Sequence, residues 1–314
     1  MNSIRISKTS SYFPSRIITN ESLEKQLKLE EGYIEKRTGI KERRYINNEK
    51  IEEVAFKSVK NMNITEKEKQ KIGIIIVATT STNSLIPGIA NYIQKQLKIK
   101  PCICLDILAG CSGFINALDI AKLYIQTEKV EKALVIGVDI LSNHTDTQDV
   151  STAILLADGA GAILIEKSEE EKIYISNIVS DGKNNEILTC KVNENIRMDG
   201  KEIYKYAVTI PVENVKQLIN KAEEDICNIK YFVIHQSNKK IMKSIASRLE
   251  IDINNVYMNI EKIGNTFCAS IPIVLDEMFK KNLIKQGDKI VLLGYGGGMN
   301  TGSILMEIWW RKEK

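Results

Sequence analysis

"GAILIE" at residues 161–166 returns as "GSILME" at 302–307. Each copy has a glycine, a small residue, an aliphatic run and a final glutamate. Working outward, the echo continues. Each copy is preceded by a glycine cluster, "ADGA" (157–160) and "YGGG" (295–298), both read as turns. Strand-like runs match as well: "IGIIIVATT" (72–80) with "IKYFVIHQS" (229–237), and "KALVIGVDI" (132–140) with "DKIVLLGYG" (288–296). Continuous β-branched runs of this kind indicate strands buried on both faces. Between them, helical spacing recurs. Phe114, Ile115, Leu118, Ala121 and Ile125 mark one apolar face. "ASIPIVLDEMFKKNLI" (269–284) holds the equivalent place in the second half, with Pro272 near its start. A repeat of about 150 residues is too long for a solenoid. It predicts a layered α/β protein built from two duplicated halves about a pseudo-twofold axis, divided as 1–168 and 169–314. A site between such halves draws residues from both.

Composition narrows the classes. The chain has 314 residues, 43% hydrophobic and 27% charged, which supports a sizeable core and excludes a disordered chain. A net charge of +4 is too small to imply nucleic acid. The six cysteines are irregularly spaced, so no disulfide framework is expected. Cys102 and Cys104 form a lone CxC on a strand-like stretch and are read as small core hydrophobes, with no metal site. "MNSIRISKTSSYFPSRIITN" has no signal-peptide core, and no apolar run approaches the roughly 18 residues that span a bilayer. A cytoplasmic protein without membrane contact is expected.

Chemistry-bearing residues are few. Of the two histidines, His144 in "LSNHTDTQD" reads as a solvated loop residue. His235 in "FVIHQSN" ends an apolar strand, where ligands gather in α/β folds, although a packed core histidine is the alternative. Cys111 in "LAGCSGF" (108–114) sits where a strand hands over to a helix. A helix N-terminus lowers a thiol pKa, and Gly110 and Gly113 leave space around the sulfur. Cysteine and histidine at strand ends of opposite halves suit nucleophilic catalysis. Asn265, beside Gly264, is either an ordinary N-cap or a hydrogen-bond donor to a developing oxyanion. The N–H groups of "YGGGMNTG" (295–302) could complete an oxyanion hole. "ADGAGA" (157–162) lacks both phosphate-cradle patterns and reads as a structural turn.

Taken in order, these stretches resemble the β-ketoacyl-acyl carrier protein synthase III family of the thiolase superfamily. The resemblance is carried by "RTGIKER" (37–43), "LAGCSGF", "ADGAGA", "HQSN" (235–238), "GNTFCASIP" (264–272) and "YGGGMNTGS" (295–303). It implies a five-layer α-β-α-β-α thiolase-like fold, usually homodimeric. It also implies a Cys111–His235–Asn265 triad and an oxyanion hole from the Cys111 and Gly297 N–H groups. The implied reaction condenses an acyl-CoA or acyl-carrier protein primer with malonyl-acyl carrier protein, in fatty-acid initiation or specialised metabolism, with no other cofactor. The lack of a second matching histidine sets the chain apart from elongating synthases. The cysteine-free glycine loop sets it apart from degradative thiolases.

The resemblance further implies that Tyr33, Arg37, Thr38 and Asn238 bind coenzyme A. Ile86 would line the acyl pocket from the partner subunit, and Lys240, Lys243 and Arg248 would dock the carrier protein. Tyr33 stands where relatives have a tryptophan, Val150 where they have a stacking arginine, and Thr301 where an aromatic is common. The tyrosine is therefore expected to lack a cation over its ring. Two alternatives stay open: a triad acyltransferase with a non-malonyl acceptor, and a non-catalytic paralogue.

Overall fold

The computed structural model describes residues 4–168 and 170–309. The expected boundary between the halves, at 168/169, touches a residue outside the described ones. Five strands form the first sheet: β1 (Ile4–Tyr12), β2 (Ile72–Ala78), β3 (Ile103–Ile107), β4 (Lys132–Ile140) and β5 (Asp158–Lys167), in the order β1-β5-β4-β2-β3. Four form the second: β6 (Tyr174–Ser180), β7 (Ile229–Ile234), β8 (Lys289–Gly296) and β9 (Asn300–Glu307), in the order β6-β9-β8-β7. In both sheets the first two junctions are antiparallel and the next is parallel. Val256 makes one parallel bridge to Phe232 where the first sheet has its fifth strand, β3.

The apolar runs are continuous because each strand faces a core on both sides. Ile74 and Ile76 point to the central core, Ile75 and Val77 to an outer one. The first outer layer is α1 (Ile51–Lys60) and α2 (Ile89–Leu97), which place Val54, Val59 and Ile93 against Leu134 and Leu164. The central layer is α3 (Gly113–Gln126), joined later in the chain by a second helix. The opposite outer layer is α4 (Ile210–Lys221) and α5 (Lys239–Arg248), packed on Phe232, Val291 and Leu305. The second central helix is α6 (Ser270–Lys280). Phe114 and Leu118 of α3 meet Val274 and Met278 of α6 between the sheets. Each such side chain contributes about 1.5–3 kcal/mol on burial. The result is the five-layer α-β-α-β-α stack, and all five apolar positions predicted along α3 are buried.

"ADGA" is not a turn. Asp158 opens β5, and Gly159, Ala160 and Gly161 run as strand against β4. The glycine is there for approach: a Cβ on Gly161 would stand 2.7 Å from the Ile273 nitrogen of α6. Its cross-strand partner Gly137 faces the Cys268 carbonyl in the same way. The second sheet repeats the device. Gly294 pairs with Gly302, and Cβ atoms there would meet Ser112 and Ile115 at the start of α3. Each sheet thus makes room for the helix that the other half contributes. Cys102 and Cys104 pack against the first outer core, as small hydrophobes do. Both are half-buried, Cys104 on the edge strand β3 and Cys102 just before it, with their sulfurs 4.0 Å apart.

Candidate active site

Both central helices are entered through one turn of 3₁₀ helix, Gly110–Ser112 before α3 and Phe267–Ala269 before α6. The first residue of each turn has positive φ, +56° at Gly110 and +43° at Phe267. The left-handed region is free to glycine and strained for phenylalanine. Cys111 and Cys268 therefore occupy equivalent places in the two halves. The Cys268 thiol donates to the Gly110 carbonyl at 3.0 Å, which holds the peptide that carries the Cys111 N–H. Gly296 closes over Cys111: a Cβ there would lie 2.9 Å from its sulfur.

Two cavities share Cys111, Leu188, Ile196 and Phe267 in their walls. The larger, about 520 Å³, is also lined by His235 and Asn265 and runs out past Tyr33, Arg37 and Lys240. The smaller, about 220 Å³, is also lined by Gly110 and Gly297. Cys111, His235 and Asn265 are thus brought together from both halves.

Local hydrogen bonds fix what His235 and Asn265 can offer. Ser270, the first residue of α6, places its hydroxyl 2.7 Å from His235 Nδ1, and accepts the Gln236 N–H at 3.4 Å. Nδ1 is the one acceptor the hydroxyl proton meets among the described residues, so the hydroxyl donates to Nδ1 and the ring proton stays on Nε2. The Tyr295 ring packs edge-on against the imidazole, and its hydroxyl meets Ser237 at 2.7 Å. Burial lowers the His235 pKa to about 3, so the ring is neutral at physiological pH. Asn265 Oδ1 accepts the Phe267 N–H at 3.1 Å, which leaves the Nδ2 group to donate. It caps the 3₁₀ turn, not α6. Both acceptors are spoken for within the fold, and both side chains keep N–H donors.

Among solved structures, 3-oxoacyl-[acyl-carrier-protein] synthase III from Aquifex aeolicus VF5 superposes with a TM-score of 0.93 at 36% identity, covering 97% of this chain and 100% of that one. Family models for 3-oxoacyl-[acyl-carrier-protein] synthase III match residues 105–182, and for its C-terminal part residues 219–308. The β-ketoacyl-[acyl-carrier-protein] synthase III of Clostridium acetobutylicum is 38% identical over 99% of this chain and 100% of its own. That of Clostridium kluyveri is 38% identical over 98% and 100%. The chain belongs to the β-ketoacyl-acyl carrier protein synthase III family.

As a synthase III, the chain departs from sequence expectation at several residues. Cys111 was expected to have a lowered pKa. Burial, at 3% exposure, instead pushes the thiol up, with the Asp139 carboxylate adding to it. Its own backbone N–H works the other way and is outweighed. Asp139 is itself fully buried, and accepts from Thr79, Thr80, Ser81 and the Cys268 N–H. Tyr33 was expected to lack a cation, yet the Arg37 guanidinium lies 5.2 Å above its ring. That arginine is one helical turn along Tyr33–Thr38, so it needs no help from position 150. Val150 lines the same cavity.

His144 is the clearest correction. It is buried in a short 3₁₀ turn, Leu141–His144, because the segment 190–196 folds over it. Thr38 lines the cavity, but its hydroxyl is committed to Ile34 O and Ile40 N. Asn238 caps α5 and donates to the Arg37 carbonyl, tying that helix to Tyr33–Thr38. Ile86 stands outside the cavity walls of its own chain and is 88% exposed. Lys240, Lys243 and Arg248 are exposed along α5, Lys240 at the cavity. Thr301 is buried and meets the Tyr206 hydroxyl at 2.5 Å. Sequence reasoning missed Ser270, Tyr295 and the walls from 188–196. Ser270 stood inside a quoted motif, but only the fold shows that it faces His235.

Proposed function

We propose that this synthase III condenses an acyl thioester primer with malonyl-acyl carrier protein through an acyl-Cys111 intermediate. One observation carries the reading: His235 and Asn265 each have their acceptor satisfied internally, and each keeps an N–H donor for the cavity that Cys111 lines. Converging donors in a water-poor site suit a developing enolate.

The Cys111 thiol loses its proton and attacks the primer carbonyl, with the Cys111 and Gly297 N–H groups as oxyanion donors. The tetrahedral intermediate collapses with loss of the donor thiol, which takes up the proton. Malonyl thioester then enters the larger cavity, its C–C bond to the carboxylate breaks, and carbon dioxide leaves. The electron pair rests on the thioester oxygen as an enolate, held by His235 Nε2–H and Asn265 Nδ2–H. The enolate carbon attacks acyl-Cys111, the C–S bond breaks, and β-ketoacyl thioester and the Cys111 thiolate result. The enzyme is on this reading an acyltransferase that needs no cofactor beyond its thioester substrates.

Tyr33 with Arg37 above its ring supports coenzyme A binding at the cavity mouth, and exposed Lys240, Lys243 and Arg248 support docking of an acidic carrier. Exposed Leu85 and Ile86 support a homodimer. Among the described residues no helix is long and apolar enough to cross a membrane; a cytoplasmic enzyme is the matching expectation.

Intact mass after incubation with acyl-CoA and acyl-carrier protein panels tests this. An acyl adduct that disappears in Cys111→Ala, and is consumed on adding malonyl-carrier protein, is expected. No adduct from any donor, or an undiminished one in Cys111→Ala, overturns the reading.

A further inference from the structure

His235 has a second polar neighbour in the larger cavity. The Tyr295 ring stands edge-on to the imidazole, with 5.5 Å between centroids, and its hydroxyl lies 2.7 Å from Ser237 Oγ. Both residues line the cavity, Ser237 half-buried and Tyr295 3% exposed. Two hydroxyls carry two protons, and the bond between them uses one. Whichever way that bond points, the pair keeps one O–H donor with no acceptor among the described residues. Tyr204 and Tyr206 line the same cavity, but their hydroxyls pair with Ser244 and Thr301, which stand outside its walls. Ser237 and Tyr295 both stand in the wall, beside His235 in the chain and against its ring.

On the condensation reading, His235 and Asn265 take the thioester oxygen of the malonyl group. Its carboxylate lies one carbon away and needs donors of its own, because a carboxylate taken out of water without them is costly. The cations in the cavity wall, Arg37 and Lys240, are exposed at its mouth. We propose that the Ser237–Tyr295 hydroxyl pair holds the malonyl carboxylate. This inference rests on the condensation reading and assigns the other end of the extender. Neutral donors suit a group that has to leave. They orient the C–C bond, and its cleavage moves the charge to the enolate oxygen while carbon dioxide departs uncharged. An ion pair at the carboxylate would hold the ground state more firmly and oppose that loss. Ser237 and Tyr295 are on this account binding residues that touch the extender and exchange no proton with it.

The test uses enzyme already acylated at Cys111 and compares malonyl-carrier protein with acetyl-carrier protein, which lacks the carboxylate. Carbon dioxide release gives the KM of the first and the inhibition constant of the second. The wild type is expected to favour malonyl about tenfold, the worth of a hydrogen bond to a charged group. Ser237→Ala/Tyr295→Phe removes both hydroxyls and keeps both shapes, an exchange close to neutral for stability. It is expected to erase the preference by raising the malonyl KM about tenfold with kcat held, the mark of lost ground-state binding. If the double variant fails to fold, Tyr295→Phe decides, with a loss of about threefold expected because Ser237 keeps its proton. No preference in the wild type, a preference retained in the variant, or a fall in kcat without a rise in malonyl KM overturns this inference and leaves the condensation standing. Absence of any carbon dioxide release from malonyl-carrier protein overturns both.

Discussion

Ser270→Ala removes one oxygen and isolates what it does for His235. In the wild type, the hydroxyl 2.7 Å from Nδ1 sets the tautomer with its proton on Nε2, toward the cavity. Without it, Nδ1 of a fully buried ring has no partner, and the Gln236 N–H loses its acceptor. Orphaning such groups costs about 1–3 kcal/mol of stability, a melting shift of a few degrees. The larger effect is expected on rate. A ring free to turn or to shift its proton loses part of the enolate stabilisation, about 10- to 100-fold, or about 1.4–2.7 kcal/mol.

Two half-reactions separate this from general damage. Release of labelled carbon dioxide from malonyl-carrier protein is expected to fall, while acylation of Cys111 stays within about twofold, since His235 acts only after acyl transfer on the proposed reading. Ser270→Thr, which keeps the hydroxyl, is expected to restore most of the rate. The pH profile is a second readout. With its pKa at about 3, folded His235 stays neutral from pH 8 down past 5, so decarboxylation is expected to be flat there. Wild-type carbon dioxide release from Ser270→Ala, or equal loss in both half-reactions, would refute the tautomer argument.

Gly296→Ala puts a Cβ 2.9 Å from the Cys111 sulfur and is expected to slow acylation by about 100-fold, read by intact mass; acylation at the wild-type rate would show that the glycine loop yields. Lys240→Glu is expected to raise the KM for malonyl-carrier protein about tenfold and to leave acylation by small thioesters unchanged; equal effects on both would remove the docking role. Burial raises the Cys111 pKa, so the thiolate fraction, and with it alkylation by iodoacetamide, should climb about tenfold per pH unit from 6 to 9. A plateau below pH 8 would mean that the N-terminus of α3 outweighs burial.

Where a run of residues met a core on both faces, its identity was legible: β2, β4, β7 and β8 read as buried strands, and α3 as a buried helix. The motif residues Cys111, His235 and Asn265 were legible through their order along the chain. What escaped was anything set by a distant segment. His144 sits among polar neighbours, which says solvent, yet 190–196 seals it. "ADGAGA" has turn-forming composition, but its glycines answer the approach of α6. The acidity of Cys111 could not be read from a helix start, because burial depends on what closes over the sulfur. Local composition records local preference, and each of these outcomes was decided by contact across the halves.

The reciprocal glycine pairs bear on how a doubled chain can diverge. Gly137 matches Gly294 and Gly161 matches Gly302 along paired strands. Neither pair serves its own copy's helix: each gives clearance to the one that arrives from the other. Drift in one copy is therefore answerable to its sibling at these points. On the proposed reading the chemistry could become one-sided, with a nucleophile in one copy and its donors in the other, while the clearance that joins them stayed mutual.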